Sequence, residues 1–162
     1  MKTLFNKIAE ENRDRIYRIC RSYSTNAVDT EDLFQEVMLQ VWKALPGFRN
    51  ESSVNSWVFR IALNVCMRAK FSHDKRKSVF IKTDMTDIDL PNPKQEGHDP
   101  EYRELFSCIW QLNEIDKSII LLFLENQSYR EIGEITGRTE NNIATRMKRI
   151  KQKLYTCLKP RL

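Results

Sequence analysis

The stretch Ser128-Tyr129-Arg130-Glu131-Ile132-Gly133-Glu134-Ile135-Thr136-Gly137-Arg138-Thr139-Glu140-Asn141-Asn142-Ile143 decides how this chain is read. Ser128 can accept a hydrogen bond from the backbone three residues on. Glu131 stands where its carboxylate can bond back to the Ser128 N–H, the reciprocal pattern that opens a helix. Gly137 supplies a sharp turn. Thr139 can cap a second helix, on which Ile143, Met147, Ile150 and Leu154 fall on one narrow stripe at 100° per residue. Two helices across a glycine turn read as a helix-turn-helix. The face opposite the stripe carries Asn141, Thr145, Lys148, Arg149 and Gln152, and Arg138 and Arg146 are counted with it. Amides and hydroxyls on such a face can read base edges in a DNA major groove, while Arg and Lys hold phosphates. The plain alternative is a solvated amphipathic helix.

Charge favours the first reading. The whole chain carries +5 with a pI of about 9.1. A surplus of that size proves nothing about nucleic acid by itself. From Arg138 to the end, however, eight basic residues face Glu140 alone. That segment exceeds the surplus of the whole chain, and the remainder is slightly acidic.

Upstream of the helix-turn-helix, helical pattern covers Glu101–Leu112 and Asp116–Glu125, with Tyr129–Thr136 and Glu140–Leu158 completing a C-terminal unit. Ser78 to Pro100 differs. It holds Pro91, Pro93 and Pro100, lacks a helical period, and has more acidic than basic side chains, which reads as a flexible acidic linker. Before it, a first helix spans Leu4–Ser22. A second, capped by Asp29 or Thr30, runs to Leu45, where Pro46-Gly47 stops it, and a third, capped by Ser52 or Ser53, runs to about Lys70. The expected fold is all-α: domains at 1–77 and 101–162 joined by a linker at 78–100. Only 4 glycines and 5 prolines in 162 residues agree with long helices rather than many strands.

The second helix has Leu33, Phe34, Val37, Met38, Val41 and Leu45 on its apolar side. Its other side shows Asp32, Gln35, Glu36, Gln40 and Lys43 around an exposed Leu39, a pattern that suits docking on another protein and is also compatible with an ordinary surface. The third helix has a single polar stripe, Ser56, Arg60, Asn64 and Arg68, with Trp57 beside it. The basic loop after it holds Phe71, Lys75, Arg76 and Lys77. Cations next to aromatics suit single-stranded DNA, where rings stack on bases; a core Trp beside a solvated stripe is the other reading.

Three segments in this order resemble the extracytoplasmic-function group of bacterial sigma factors. Asp32-Leu-Phe-Gln-Glu-Val-Met-Leu-Gln-Val-Trp resembles the family's helix that docks on the polymerase clamp. Phe48-Arg-Asn-Glu-Ser-Ser with Trp57-Val-Phe-Arg-Ile-Ala-Leu-Asn resembles its promoter-melting segment. Ser128-Tyr-Arg-Glu-Ile-Gly and Ile143-Ala-Thr-Arg-Met-Lys-Arg resemble its reader of the upstream element. The resemblance implies a sigma factor that binds RNA polymerase core and promoter DNA. The C-terminal domain would hold the upstream element as duplex. The N-terminal domain would capture the melted downstream strand with a base flipped out, and the acidic linker would enter the polymerase cleft. It also implies an anti-sigma factor as a partner. Asn50 and Asn113 stand where the family often has glycine and proline.

A stand-alone helix-turn-helix regulator is the competing reading; a ligand pocket or dimer-forming helix would favour it, and neither is visible in the sequence. An enzyme is disfavoured, because no nucleophile–base pair, phosphate loop or metal cluster is legible, and no cofactor is expected. Cys20, Cys66, Cys108 and Cys157 form no CxxC pair and read as reduced thiols on helices, as in a reducing cytoplasm. No apolar run approaches the roughly 20 residues of a membrane span.

Overall fold

The computed structural model describes residues 2–50, 53–79 and 100–161. Apart from the ends of helices at Ser78, Val79 and Pro100, the segment read as the acidic linker lies outside those residues. Among the described residues there is no strand. The chain divides into two compact units, Met1–Asn92 and Pro93–Leu162.

In the first unit α1 (Lys2–Ser22), α2 (Ala27–Ala44) and α3 (Val54–Val79) pack pairwise on one another. Their core joins Ile8, Ile16, Ile19 and Cys20 of α1, Val37 and Val41 of α2, and Val58, Phe59, Ala62, Leu63 and Cys66 of α3. The α1–α2 corner is tied by hydroxyls: Ser24 Oγ donates to the Cys20 carbonyl at 2.9 Å, and Thr30 Oγ1 to the Asn26 carbonyl at 2.9 Å. The cap of α2 is Asn26, not Asp29 or Thr30. Asn26 Oδ1 accepts from the Asp29 N–H at 2.8 Å, and its amide donates to the Asp29 carboxylate at 3.0 Å. All three residue types can cap, and Asn26 is the one that stands in extended backbone just before Ala27. Leu45–Gly47 forms a 3-10 turn that ends α2 at the expected Pro46-Gly47. Asn50 then takes φ 59°, a conformation Asn tolerates better than most residues.

The third helix corrects the sequence expectation. The run Phe71 to Lys77, read as a loop, continues α3 to Val79. No glycine or proline interrupts Val54–Val79. Lys75, Arg76 and Lys77 are good helix formers and complement the negative end of the helix dipole.

In the second unit α4 (Pro100–Trp110), α5 (Glu114–Leu124), α6 (Tyr129–Thr136) and α7 (Glu140–Leu158) enclose Cys108, Ile109, Ile119, Ile120, Leu122, Ile132, Ile135 and the α7 stripe. Asn113 caps α5 by accepting from the Asp116 N–H at 2.9 Å, so this helix begins earlier than Asp116. A short 3-10 turn, Lys159–Arg161, follows α7.

The cysteine expectation also needs correction. Cys108 and Cys157 are joined as a disulfide, with Cα atoms 5.9 Å apart, tying α4 to the last turn of α7. A sequence separation of 49 residues gives no hint of that proximity. Cys20 and Cys66 are buried and outside that disulfide, with sulfurs 3.9 Å apart across α1 and α3. No helix among the described residues is long and apolar enough to cross a membrane.

Candidate nucleic-acid and protein interfaces

The geometry of α6, turn and α7 is set by a few local bonds. Ser128 Oγ accepts from the Glu131 N–H at 3.1 Å while Glu131 accepts from the Ser128 N–H at 3.2 Å. Gly137 closes α6 at φ 74° in the left-handed region. Thr139 Oγ1 accepts from the Asn142 N–H at 3.1 Å and starts α7. Ile143, Met147 and Ile150 are fully buried and Leu154 nearly so, which fixes the rotation of α7. Its outer side therefore presents Asn141, Asn142, Thr145, Lys148, Arg149 and Gln152 to solvent, with Arg138 half-buried in the turn. Thr145 Oγ1 donates to the Asn141 carbonyl at 3.0 Å, leaving its oxygen lone pairs and methyl group facing out. An amide, a hydroxyl acceptor and two exposed cations on one convex face can read base edges and hold phosphates.

Arg146 differs from its neighbours. Sequence placed it among the DNA contacts; its half-buried guanidinium also pairs within the unit. Nη1 lies 3.3 Å from Asp116 Oδ1, and Nε donates to Asn142 Oδ1 at 3.3 Å. Asp116, 5% exposed, also receives Lys153 Nζ at 3.3 Å and the Asn113 amide at 3.2 Å. Neither Asp116 nor Asn142 was singled out from sequence. The available signal was Asp116-Lys117 opening an otherwise apolar run; the partner is 30 residues away. Beside it, Lys117 is fully buried with Nζ 3.8 Å from the centroid of the Trp110 ring, a cation–π contact.

In the first unit the outer side of α2 carries Asp32, Gln35, Glu36, Leu39 and Lys43, all exposed, with Gln40 half-buried and donating to Glu36 Oε1 at 2.9 Å. Leu39 is 44% exposed. One turn on, Trp42 is also exposed and stands edge-on to Phe5, centroids 5.2 Å apart. Trp42 enlarges the apolar centre of this face and was not counted in it from sequence.

Along α3, Arg60, Asn64 and Arg68 are exposed one turn apart, and Arg68 Nε donates to the Asn64 carbonyl at 3.3 Å. Ser56 does not belong to this stripe. It is fully buried and bonded to Ser53, whose Oγ accepts from the Ser56 N–H at 3.1 Å as the helix cap. Trp57 is half-buried and tilts its ring against Phe48 at 4.8 Å between centroids. Phe71, Lys75, Arg76 and Lys77 lie on the C-terminal turns of α3 by their backbone; their side chains fall outside the described set. Among the described residues no group of His, Cys, Asp and Glu could hold a metal ion.

The chain matches known families along both units. The sigma-70 region 2 model matches residues 8–76, and the sigma-70, region 4 model matches residues 102–154, together most of the chain. The ECF RNA polymerase sigma factor SigE of Mycolicibacterium smegmatis is 26% identical over 154 residues, covering 93% of this chain and 60% of that relative. The RNA polymerase sigma factor SigV of Bacillus subtilis is 28% identical over 149 residues, covering 91% of this chain and 87% of that relative. Among solved structures, the sigma factor RpoE in complex with the anti-sigma factor NepR from Bartonella quintana shares the fold. Its TM-score is 0.75 at 21% identity, over 96% of each chain. CnrH in complex with the cytosolic domain of CnrY gives 0.71 at 17% identity, over 99% of this chain and 90% of that one.

Proposed function

This chain belongs to the extracytoplasmic-function group of the sigma-70 family, and on that premise we propose how its surfaces divide the work of transcription initiation. It is an RNA polymerase sigma factor, and its partners are RNA polymerase core and promoter DNA. The exposed face of α7 reads the upstream promoter element as duplex, through Asn141, Thr145, Lys148, Arg149 and Gln152, with Arg138 at the turn. The outer side of α2, Asp32 to Lys43, docks on core. Arg60, Asn64 and Arg68, on the helix that carries Trp57 of the Phe48–Trp57 pair, and the basic end of α3 hold the strand released when the downstream element melts. Melting and flipping a base costs a few kcal/mol of lost stacking, which ring stacking and charge contacts offset. Phosphodiester chemistry belongs to the polymerase, so the chain itself needs no catalytic residue or cofactor. Its place of action is the cytoplasm, with core and template.

The observation that carries this reading is the outer side of α7. It is a helix-turn-helix face with a buried apolar stripe behind and amides, a hydroxyl and cations in front. The test is run-off transcription by purified core on a promoter library, with and without the chain. Initiation at a defined subset of promoters, only with the chain present, is expected. Duplex binding without core, and no effect on core transcription, would instead make the protein a stand-alone helix-turn-helix regulator.

The solved neighbour RpoE was captured with the anti-sigma factor NepR, and CnrH with the cytosolic domain of CnrY. We extend this to a reversible inhibitor for the present chain. Co-expression with a candidate inhibitor should abolish its run-off activity and leave core activity unchanged.

A further inference from the structure

Asp116 takes three donors on a carboxylate that is almost out of water. Asn113 belongs to its own helix cap; Arg146 and Lys153 come from α7, two turns apart on one side. Arg146 continues the chain of bonds outward, its Nε donating to Asn142 Oδ1. Arg has donors only. The carbonyl of the Asn142 side chain must therefore face Arg146, and its NH2 must face away, toward solvent beside Asn141 and Thr145. Asn142 sits in the first turn of α7, where recognition helices approach base edges.

We propose that Asp116 is a positioning residue for base reading: acting through Arg146, it fixes the side-chain amide of Asn142 with its NH2 edge toward the groove. This rests on the duplex-reading role of α7 given above. An amide held this way is a donor and favours an acceptor edge, guanine O6 or N7 or thymine O4. An unrestrained Asn instead pairs bidentately with adenine, using both its carbonyl and its NH2. Arg146, with its guanidinium turned to Asp116 and Asn142, adds no phosphate contact of its own.

The test uses holoenzyme assembled from core and the full chain, with base preference read by promoter-library selection and affinity followed against salt. Asn142→Ala and Arg146→Gln are each expected to relax preference at the same single upstream position by about 2- to 10-fold, the worth of one hydrogen bond. The double variant should be no worse than either single change. For Arg146→Gln the slope of log affinity against log salt should stay that of the parent, whereas loss of a phosphate contact lowers it by about one. Arg146→Lys keeps the charge but has a single donor nitrogen in place of the separate Nη1 and Nε that hold Asp116 and Asn142, so it should lose the preference too. Thermal unfolding confirms that each variant is folded at the assay temperature. A slope lowered by one with preference intact, additive effects in the double variant, or rescue by Lys would overturn the relay. In each of those cases the parent still selects its upstream element; a parent with no duplex preference would remove the reading of α7 itself.

Discussion

Gly133 and Gly137 lie four residues apart and serve opposite ends. A methyl group at Gly133 would stand 2.5 Å from the Arg138 carbonyl oxygen, which is backbone and cannot swing aside. The close approach lets the Arg138 N–H reach the Gly133 carbonyl at 2.8 Å and draws the turn onto α6. Gly137 has open space around its Cα but a φ of 74° that only glycine takes without strain. Gly137→Ala is therefore expected to cost about 1–2 kcal/mol. Gly133→Ala, which forces backbone apart, should cost about 1–3 kcal/mol and be the more damaging. Thermal unfolding followed by circular dichroism checks the order; a Gly133→Ala protein as stable as the parent would contradict the contact. Sequence made Gly137 visible because a glycine after a capped helix is a turn signal. It hid Gly133, which inside a helix looks only like a weak helix former. The ion pair of Arg146 was hidden for a related reason: charge and helical phase are written locally, whereas its partner Asp116 lies on another helix.

The elements whose ends carry local chemistry were the legible ones. α6 and α7 begin and end where Ser128, Glu131, Gly137 and Thr139 require, and Pro46-Gly47 ends α2 as read. The start of α2 slipped because Asn26, Asp29 and Thr30 are all capping residues, and only packing at the α1–α2 corner chooses among them. The end of α3 slipped because a basic run without glycine or proline carries no stop signal. The α4–α7 disulfide was illegible, since it depends on how two helices cross. It closes a 49-residue span, and restricting such a loop in the unfolded chain is worth about 4 kcal/mol. Reduction, or Cys108→Ser, should thus lower the melting temperature of the second unit by about 10 °C or more, leaving the first unit's transition in place. A melting curve indifferent to dithiothreitol would argue that the bond contributes nothing. On α2 the exposed Leu39 and Trp42, ringed by Asp32, Gln35 and Glu36, set a different expectation. Leu39→Asp should weaken core binding by about tenfold or more, as for a central interface anchor, and Glu36→Arg by less. Both side chains are exposed, so helix content should not change. Unaltered core affinity in both would take docking away from this face.

At the scale of the whole molecule, the two surfaces proposed to meet DNA belong to different units and differ in chemistry. The α7 face offers amides, a hydroxyl and cations on a convex helix, suited to a groove. The α3 stripe offers Arg60, Asn64 and Arg68 beside the paired rings of Phe48 and Trp57, suited to bases that have left the stack. Arg60 and Asn64 are solvent-facing on a helix whose other sides, Val58, Phe59, Ala62 and Leu63, are buried. Removing either side chain should leave the core of the first unit intact. The activities should therefore separate. Lys148→Ala in α7 should cost about 1–3 kcal/mol in recognition of the upstream element if it reads a base, and should act on duplex and pre-melted templates alike. Arg60→Ala and Asn64→Ala should leave upstream recognition unchanged and reduce open-complex formation on duplex promoters, reported by permanganate reactivity of unpaired thymines. A template already mismatched across the downstream element tells the two roles on α3 apart. A residue that helps to melt the duplex regains activity on it, because the template has already lost the pairing. A residue that only holds the captured strand stays defective, because its contact is still missing. Parental thymine reactivity in both α3 variants on duplex DNA would leave the stripe as solvated surface, and strand capture would then have to rest on other residues of the first unit.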